Sequence, residues 1–169
     1  MKLRYSIALA VPLASASAMA ADLALKLEVP QLNVAEYHRP YIAAWLENAD
    51  QKAVANLTVL YDVRKKDNGG AKYLKDLRQW WRKTGRDVTM PMDGVSGATR
   101  APGEYTLPLS KAALDQLPAG QYQLVIEAAR EEGGREQVKV PLQWPPKAAQ
   151  SLTAQGKEEL GAITVMLKP

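Results

Sequence analysis

Short runs of period-two alternation constrain this chain more than any other feature of its sequence. In LALKLEV (23–29), Leu23, Leu25, Leu27 and Val29 fall at every second position. That spacing lines one face of a strand, since side chains alternate across a strand but repeat every 3.6 residues on a helix. Further strand-like runs, not all of them alternating, occupy 41–48, 54–63, 103–109, 121–130, 137–144 and 160–167. Tyr122, Leu124 and Ile126 share a face in the fourth of these. Ala49-Asp50-Gln51-Lys52 and the turn around Gly133-Gly134 are short enough to join their neighbours as hairpins. The stretch from Pro145-Pro146 to Gly156 reads as a connector. The expected fold is mainly β: an antiparallel β-sandwich, Ig-like in its late hairpin LPAGQYQLVIEAARE.

One segment departs from this pattern. Residues 71–85 carry apolar side chains at Tyr73, Leu74, Leu77, Trp80 and Trp81, with Gly85 where a helix should stop. The spacing predicts one inserted helix over about 71–84. A second short helix or turn is expected within 110–120.

The first twenty residues read as a signal, not as fold. Met1-Lys2-Leu3-Arg4 is a basic head, residues 6–14 are an apolar run too short to span a bilayer, and Ala18-Met19-Ala20 is a small-x-small cleavage site. A secretory signal peptide over 1–20, cut after Ala20, leaves 21–169 as a single domain in the periplasm. Without Lys2 and Arg4 the net charge of +4 falls to +2, and nothing in that balance calls for nucleic acid. With no Cys in the chain, a lipoprotein anchor, a disulfide framework and thiolate-held metals are all excluded. The single His38 excludes a His-rich metal site. Any redox group must then be organic or weakly ligated.

Charge is concentrated between Arg64 and Arg86, where nine Lys or Arg face two Asp, a local net of +7. This is either a solvated helix face or a surface for a phosphate, a membrane lipid or an acidic partner. Trp80 and Trp81 lie about 100° apart on a helix, so one is expected in the core and the other free to stack on a ring. His38, Met90 and Met92 are a thin set for a soft metal. With His38 the only candidate base, no Ser/His/Asp arrangement can be built.

The stretch Asp93-Gly94-Val95-Ser96-Gly97-Ala98-Thr99 reads first as a loop, since two glycines permit unusual backbone angles and Asp93 can accept from nearby amides. It also matches the acceptor pattern of flavin transferases, Asp-x-x-Ser/Thr-Gly-Ala-Thr/Ser. From average residue usage, a chance match in a chain this long is on the order of one in a thousand. The stretch resembles the site in FMN-binding subunits of Na⁺-pumping quinone reductases and of Rnf complexes. There an ApbE-type periplasmic transferase moves FMN from FAD to the last hydroxyl of the motif, forming a phosphoester. The resemblance implies covalent FMN on Thr99, with Asp93, Ser96, Gly97 and Ala98 read by the transferase. Small neighbours suit an oxygen that must approach phosphorus closely. Arg100 would pair with the resulting phosphodiester, and Trp80, Trp81 and Arg39 are candidates for contact with ring or phosphate.

HRPYIAAWLEN, LRQWW, DGVSGATRAPGEY and LPAGQYQLVIEAARE together resemble the predicted periplasmic family known as domain of unknown function 2271. Its members tend to be encoded beside PepSY-type membrane proteins and flavin transferases. The resemblance implies a periplasmic electron carrier without a substrate pocket of its own, partnered by a membrane reductase of the PepSY type. The alternative is a non-redox binding or scaffold module that docks a partner through its basic helix.

Overall fold

A computed structural model describes residues 20–169; the expected leader, apart from Ala20, lies outside the described residues. Nine strands form two sheets. The first sheet has the order β5-β1-β9-β8 and the second β4-β3-β2-β6-β7. Their ranges are β1 Asp22–Val29, β2 Tyr41–Glu47, β3 Ala53–Tyr61, β4 Ser96–Ala98, β5 Gly103–Leu107, β6 Gly120–Ala129, β7 Arg135–Trp144, β8 Gln150–Gln155 and β9 Ala162–Lys168. All pairings are antiparallel except β3 with β4, which run parallel. The fold is a β-sandwich, and both expected hairpins, β2–β3 and β6–β7, are present.

The alternation in the sequence explains the first core. Leu23, Leu25, Leu27 and Val29 on β1 meet Ile42, Leu46, Leu60, Leu124 and Ile126 of the facing sheet, all buried. Strand β2, by contrast, is buried on both faces. A second apolar layer explains this: Ala43, Trp45, Val59, Tyr61 and Val125 point outward and are covered by Leu74, Leu77 and Trp80.

That covering segment corrects the expected helix. Lys66–Asp76 forms tight 3₁₀ turns broken at Asp67 and Asn68, whose φ values are +52° and +53°. The α-helix, α1, spans only Arg78–Lys83. Just before the expected helix, Gly70 passes so close to the end of β3 that a Cβ there would lie 2.0 Å from the backbone oxygen of Asp62. The second short helix, α2, spans Lys111–Asp115 and is capped by Ser110, whose Oγ accepts from the Ala113 amide at 3.3 Å.

Two further expectations change. The stretch 150–155, expected as connector, is the edge strand β8. The stretch 96–98, expected as loop, is the edge strand β4. Each contributes only side chains that are half-buried or exposed: β4 is three residues long, and in β8 only Leu152 and Ala154 turn toward the core.

Candidate functional site

Residues 92–99 form a tied-down turn that leads into β4. The Met92 carbonyl accepts from the amides of Val95 and Ser96, at 3.3 and 2.9 Å. Ser96 Oγ accepts from the Met92 amide at 2.8 Å, so this hydroxyl closes the turn. Gly94 carries the reversal with φ +66°. On the β3 side, the Val59 amide donates to the Val95 carbonyl at 2.9 Å, and the Thr99 amide donates to the Tyr61 carbonyl at 3.2 Å. Gly97 rests on Leu60, where a Cβ would come within 2.9 Å of Leu60 Cδ2. These bonds leave Asp93 exposed and Thr99 half-buried at the end of the strand.

Thr99 lines a cleft of about 240 Å³ with Tyr37, His38, Arg39, Tyr41, Asp62, Arg64, Lys65 and Glu131. Three cations and three aromatic rings therefore share one cleft with Thr99, together with two carboxylates. Topology explains the gathering. Parallel pairing sets Ala98 opposite Tyr61, so the residues that follow Tyr61 pass beside Thr99, and the approach to β2 closes the other side. Tyr41 is fixed by donating from its hydroxyl to the Gly70 carbonyl at 3.0 Å and by edge-on contact with Tyr61. Burial pushes the Tyr41 and Tyr37 hydroxyls above the ordinary tyrosine value of 10.0, so both stay protonated donors at neutral pH.

The structure brings together only some of the expected site residues. Thr99 and Arg39 share the cleft. Arg100, one residue on, does not line it; its guanidinium lies 5.7 Å from the Tyr105 ring centre, and its buried Nε has no hydrogen-bond partner among the described residues. Trp80 is fully buried and its indole N–H donates to Asn56 Oδ1 at 2.8 Å, so it offers no face to a ring. Trp81 is half-buried, 6.3 Å from Trp80 between ring centres, in the layer over the outer core. Neither tryptophan lines the Thr99 cleft.

Met90 and Met92 pack against the outer core while His38 faces the cleft, so the thin soft-metal set is not assembled. His38 instead lies with Glu36 and Glu132, their ligand atoms within 4.8 Å of one another. Sequence reasoning missed Tyr37, Tyr41, Asp62 and Glu131, and treated Arg64 and Lys65 only as part of a basic run. Their proximity depends on the β3–β4 pairing, for which 96–98 carries no local signature.

No curated protein and no solved structure matches the chain. The family model described as "Predicted periplasmic protein (DUF2271)" covers residues 22–162, which runs from the first residue of β1 to the first of β9. The chain belongs to this predicted periplasmic family.

Proposed function

We propose that this protein is a periplasmic flavoprotein with FMN esterified to Thr99, relaying electrons to or from a membrane reductase of the PepSY type. One observation carries the reading: Thr99, which bears the last hydroxyl of the Asp93–Thr99 motif, lines a cleft together with Arg39, Arg64 and Lys65. In the transfer, Thr99 Oγ1 attacks the flavin-side phosphorus of FAD held by a periplasmic transferase. The O–P bond forms, the pyrophosphate bond breaks, AMP leaves, and the hydroxyl proton passes to a base of the transferase or to water.

The donor set suits the group. Arg39, Arg64 and Lys65 supply charge for a phosphodiester, and Tyr37, His38 and Tyr41 supply rings beside it. The bound flavin would supply the redox chemistry; the chain supplies tether and surroundings. At about 240 Å³ the cleft is smaller than the ~300–1,000 Å³ sites that enclose whole ligands. That suits a carrier whose redox group must meet a partner at the surface.

Co-expression with a flavin transferase tests the reading. The denatured protein should keep yellow fluorescence and gain the mass of one FMN less one water, and Thr99→Ala should lose both. A protein that stays unmodified in the presence of an active transferase, or that is modified equally with Thr99→Ala, ends the flavin account. The second reading, a non-redox docking module, has its own support in the exposed cations of the 64–86 segment, and it predicts no effect of Thr99→Ala.

A further inference from the structure

The layer that covers the outer core has two chemically distinct sides. Its inner side is Gly70, Leu74, Leu77, Trp80 and Gly85, all buried. Because this side is pressed onto one face of a sheet, the outward side chains share one face of the molecule. They are Arg64, Lys65, Lys66, Lys72, Lys75, Arg78, Arg82 and Arg86, every one of them exposed. None forms an ion pair with a carboxylate among the described residues; Lys83, the ninth cation of the segment, is the one that does, with Glu47 at 2.7 Å. Outside the segment, Lys26 pairs with Glu104 at 2.6 Å and Lys111 with Asp115 at 3.2 Å, while the exposed Lys52, Lys147, Lys157 and Lys168 stand singly and far apart in the sequence. The remainder of 21–169 is net negative, about −5 against the segment's +7, so the positive charge of this chain is concentrated in the segment.

Two apolar side chains stand among the cations. Tyr73 is 38% exposed and Val63 45%, and Lys65 Nζ sits 4.4 Å from the centre of the Tyr73 ring. Many unpaired cations with an interspersed tyrosine are the composition that binds the headgroup region of an anionic bilayer. There each Lys or Arg gains from the surface potential independently, and Tyr settles at the polar–apolar boundary. A protein partner would instead be gripped at a pocket able to take a buried anchor. The cleft formed here by Tyr73 with Arg39, Tyr41, Asp76 and Glu131 holds only about 30 Å³.

We propose that the outer face of residues 64–86 docks on a membrane surface rich in anionic phospholipid. Docked this way, the Thr99 cleft lies at the margin of the membrane contact, because Arg64 and Lys65 belong to both. The inference rests on charge and exposure and not on the flavin reading.

Vesicle flotation tests it. The purified protein should float with vesicles of phosphatidylcholine containing about 30% phosphatidylglycerol, not with pure phosphatidylcholine, and should be released by salt as the charges are screened. The triple variant Lys72→Glu, Lys75→Glu, Arg78→Glu should reduce the bound fraction about tenfold or more. A second variant, Lys66→Glu with Arg86→Glu, places the change at both ends of the segment and guards against loss of fold in the first; circular dichroism checks both. Lys147→Glu, which reverses an exposed cation outside the segment, should bind as the unaltered protein does. Failure to float with the anionic vesicles, equal binding to the neutral ones, or binding to soluble polyglutamate in place of vesicles would overturn the proposal, the last in favour of an acidic protein partner.

Discussion

Gly70 and Gly97 show how single residues set the site. Both lie where another part of the chain comes closer than a side chain allows, but what they meet differs. At Gly97 the obstacle is a methyl of Leu60, the end of a flexible side chain that can turn aside. At Gly70 it is the backbone oxygen of Asp62, which cannot move without dragging β3. Gly70→Ala should therefore cost ~3 kcal/mol, at the upper end of overpacking penalties. In a chain of this size that is a drop in Tm of several degrees, to be read by thermal denaturation. Because the Gly70 carbonyl also accepts the Tyr41 hydroxyl, the same variant should loosen the Thr99 cleft, seen as a faster-quenched tyrosine fluorescence. An unchanged Tm would show that the close approach does not hold the segment.

At the scale of elements, α1 is too short to stand alone: six residues cannot repay helix nucleation. It is held by two buried carboxylates of the sheet beneath it. Glu127 on β6 accepts from the backbone amides of Gln79 at 3.1 Å and Trp80 at 2.8 Å, capping the helix from outside its own sequence. Burial pushes the Glu127 carboxyl above its ordinary value, against the pull of those amides. Glu47 on β2 accepts from the Trp45 indole N–H and from Lys83 and Lys139. Burial pushes its carboxyl up, but the two ammonium groups and the indole outweigh it and hold the carboxyl low. Glu127→Ala leaves the helix amides buried without acceptors and should cost ~2–3 kcal/mol. Glu127→Gln keeps one oxygen acceptor and should cost about half as much. Equal loss from the two variants in chemical denaturation would mean that packing, not capping, anchors α1.

Over the whole molecule, the two sheets are clasped at one end. Arg130, just after β6, makes a two-pronged ion pair at 3.0 Å with Glu159, which lies between β8 and β9 of the other sheet. Beside it, Glu136 on β7 accepts from the amides of Lys157, Glu158, Glu159 and Leu160. Burial pushes the Glu136 carboxyl up, but the four amides prevail and hold it below its ordinary value of 4.5. A carboxyl depressed on folding adds stability above its unfolded pKa, and that contribution is lost as pH falls through the folded one. Stability should therefore decline as pH drops below about 4.5. Glu136→Gln should start lower at pH 7 and lose less over the same acid window; parallel denaturation curves for the two proteins at pH 7 and pH 3 measure this. An identical acid slope would show that the clasp does not titrate.

Local pattern determined much of this protein. Alternation in β1 and β9, and at Tyr122, Leu124 and Ile126 of β6, is enough to name strands and a face they bury, because a period of two admits no other regular structure. The Asp93–Thr99 motif and the charge of 64–86 were equally legible, since both are properties of consecutive residues. What tertiary structure decided is everything that depends on which distant segments meet. Edge strands β4 and β8 present little to read: the first is three residues long, and in the second only Leu152 and Ala154 turn toward the core. The run 71–84 has helical spacing, yet its first half forms 3₁₀ turns and only Arg78–Lys83 is α-helical. Trp80 and Trp81 are adjacent and alike in sequence; only the placement of the outer core under this segment buries the first and leaves the second half-covered. The cleft beside Thr99 exists because β4 pairs parallel to β3, and no residue within 96–98 announces its partner.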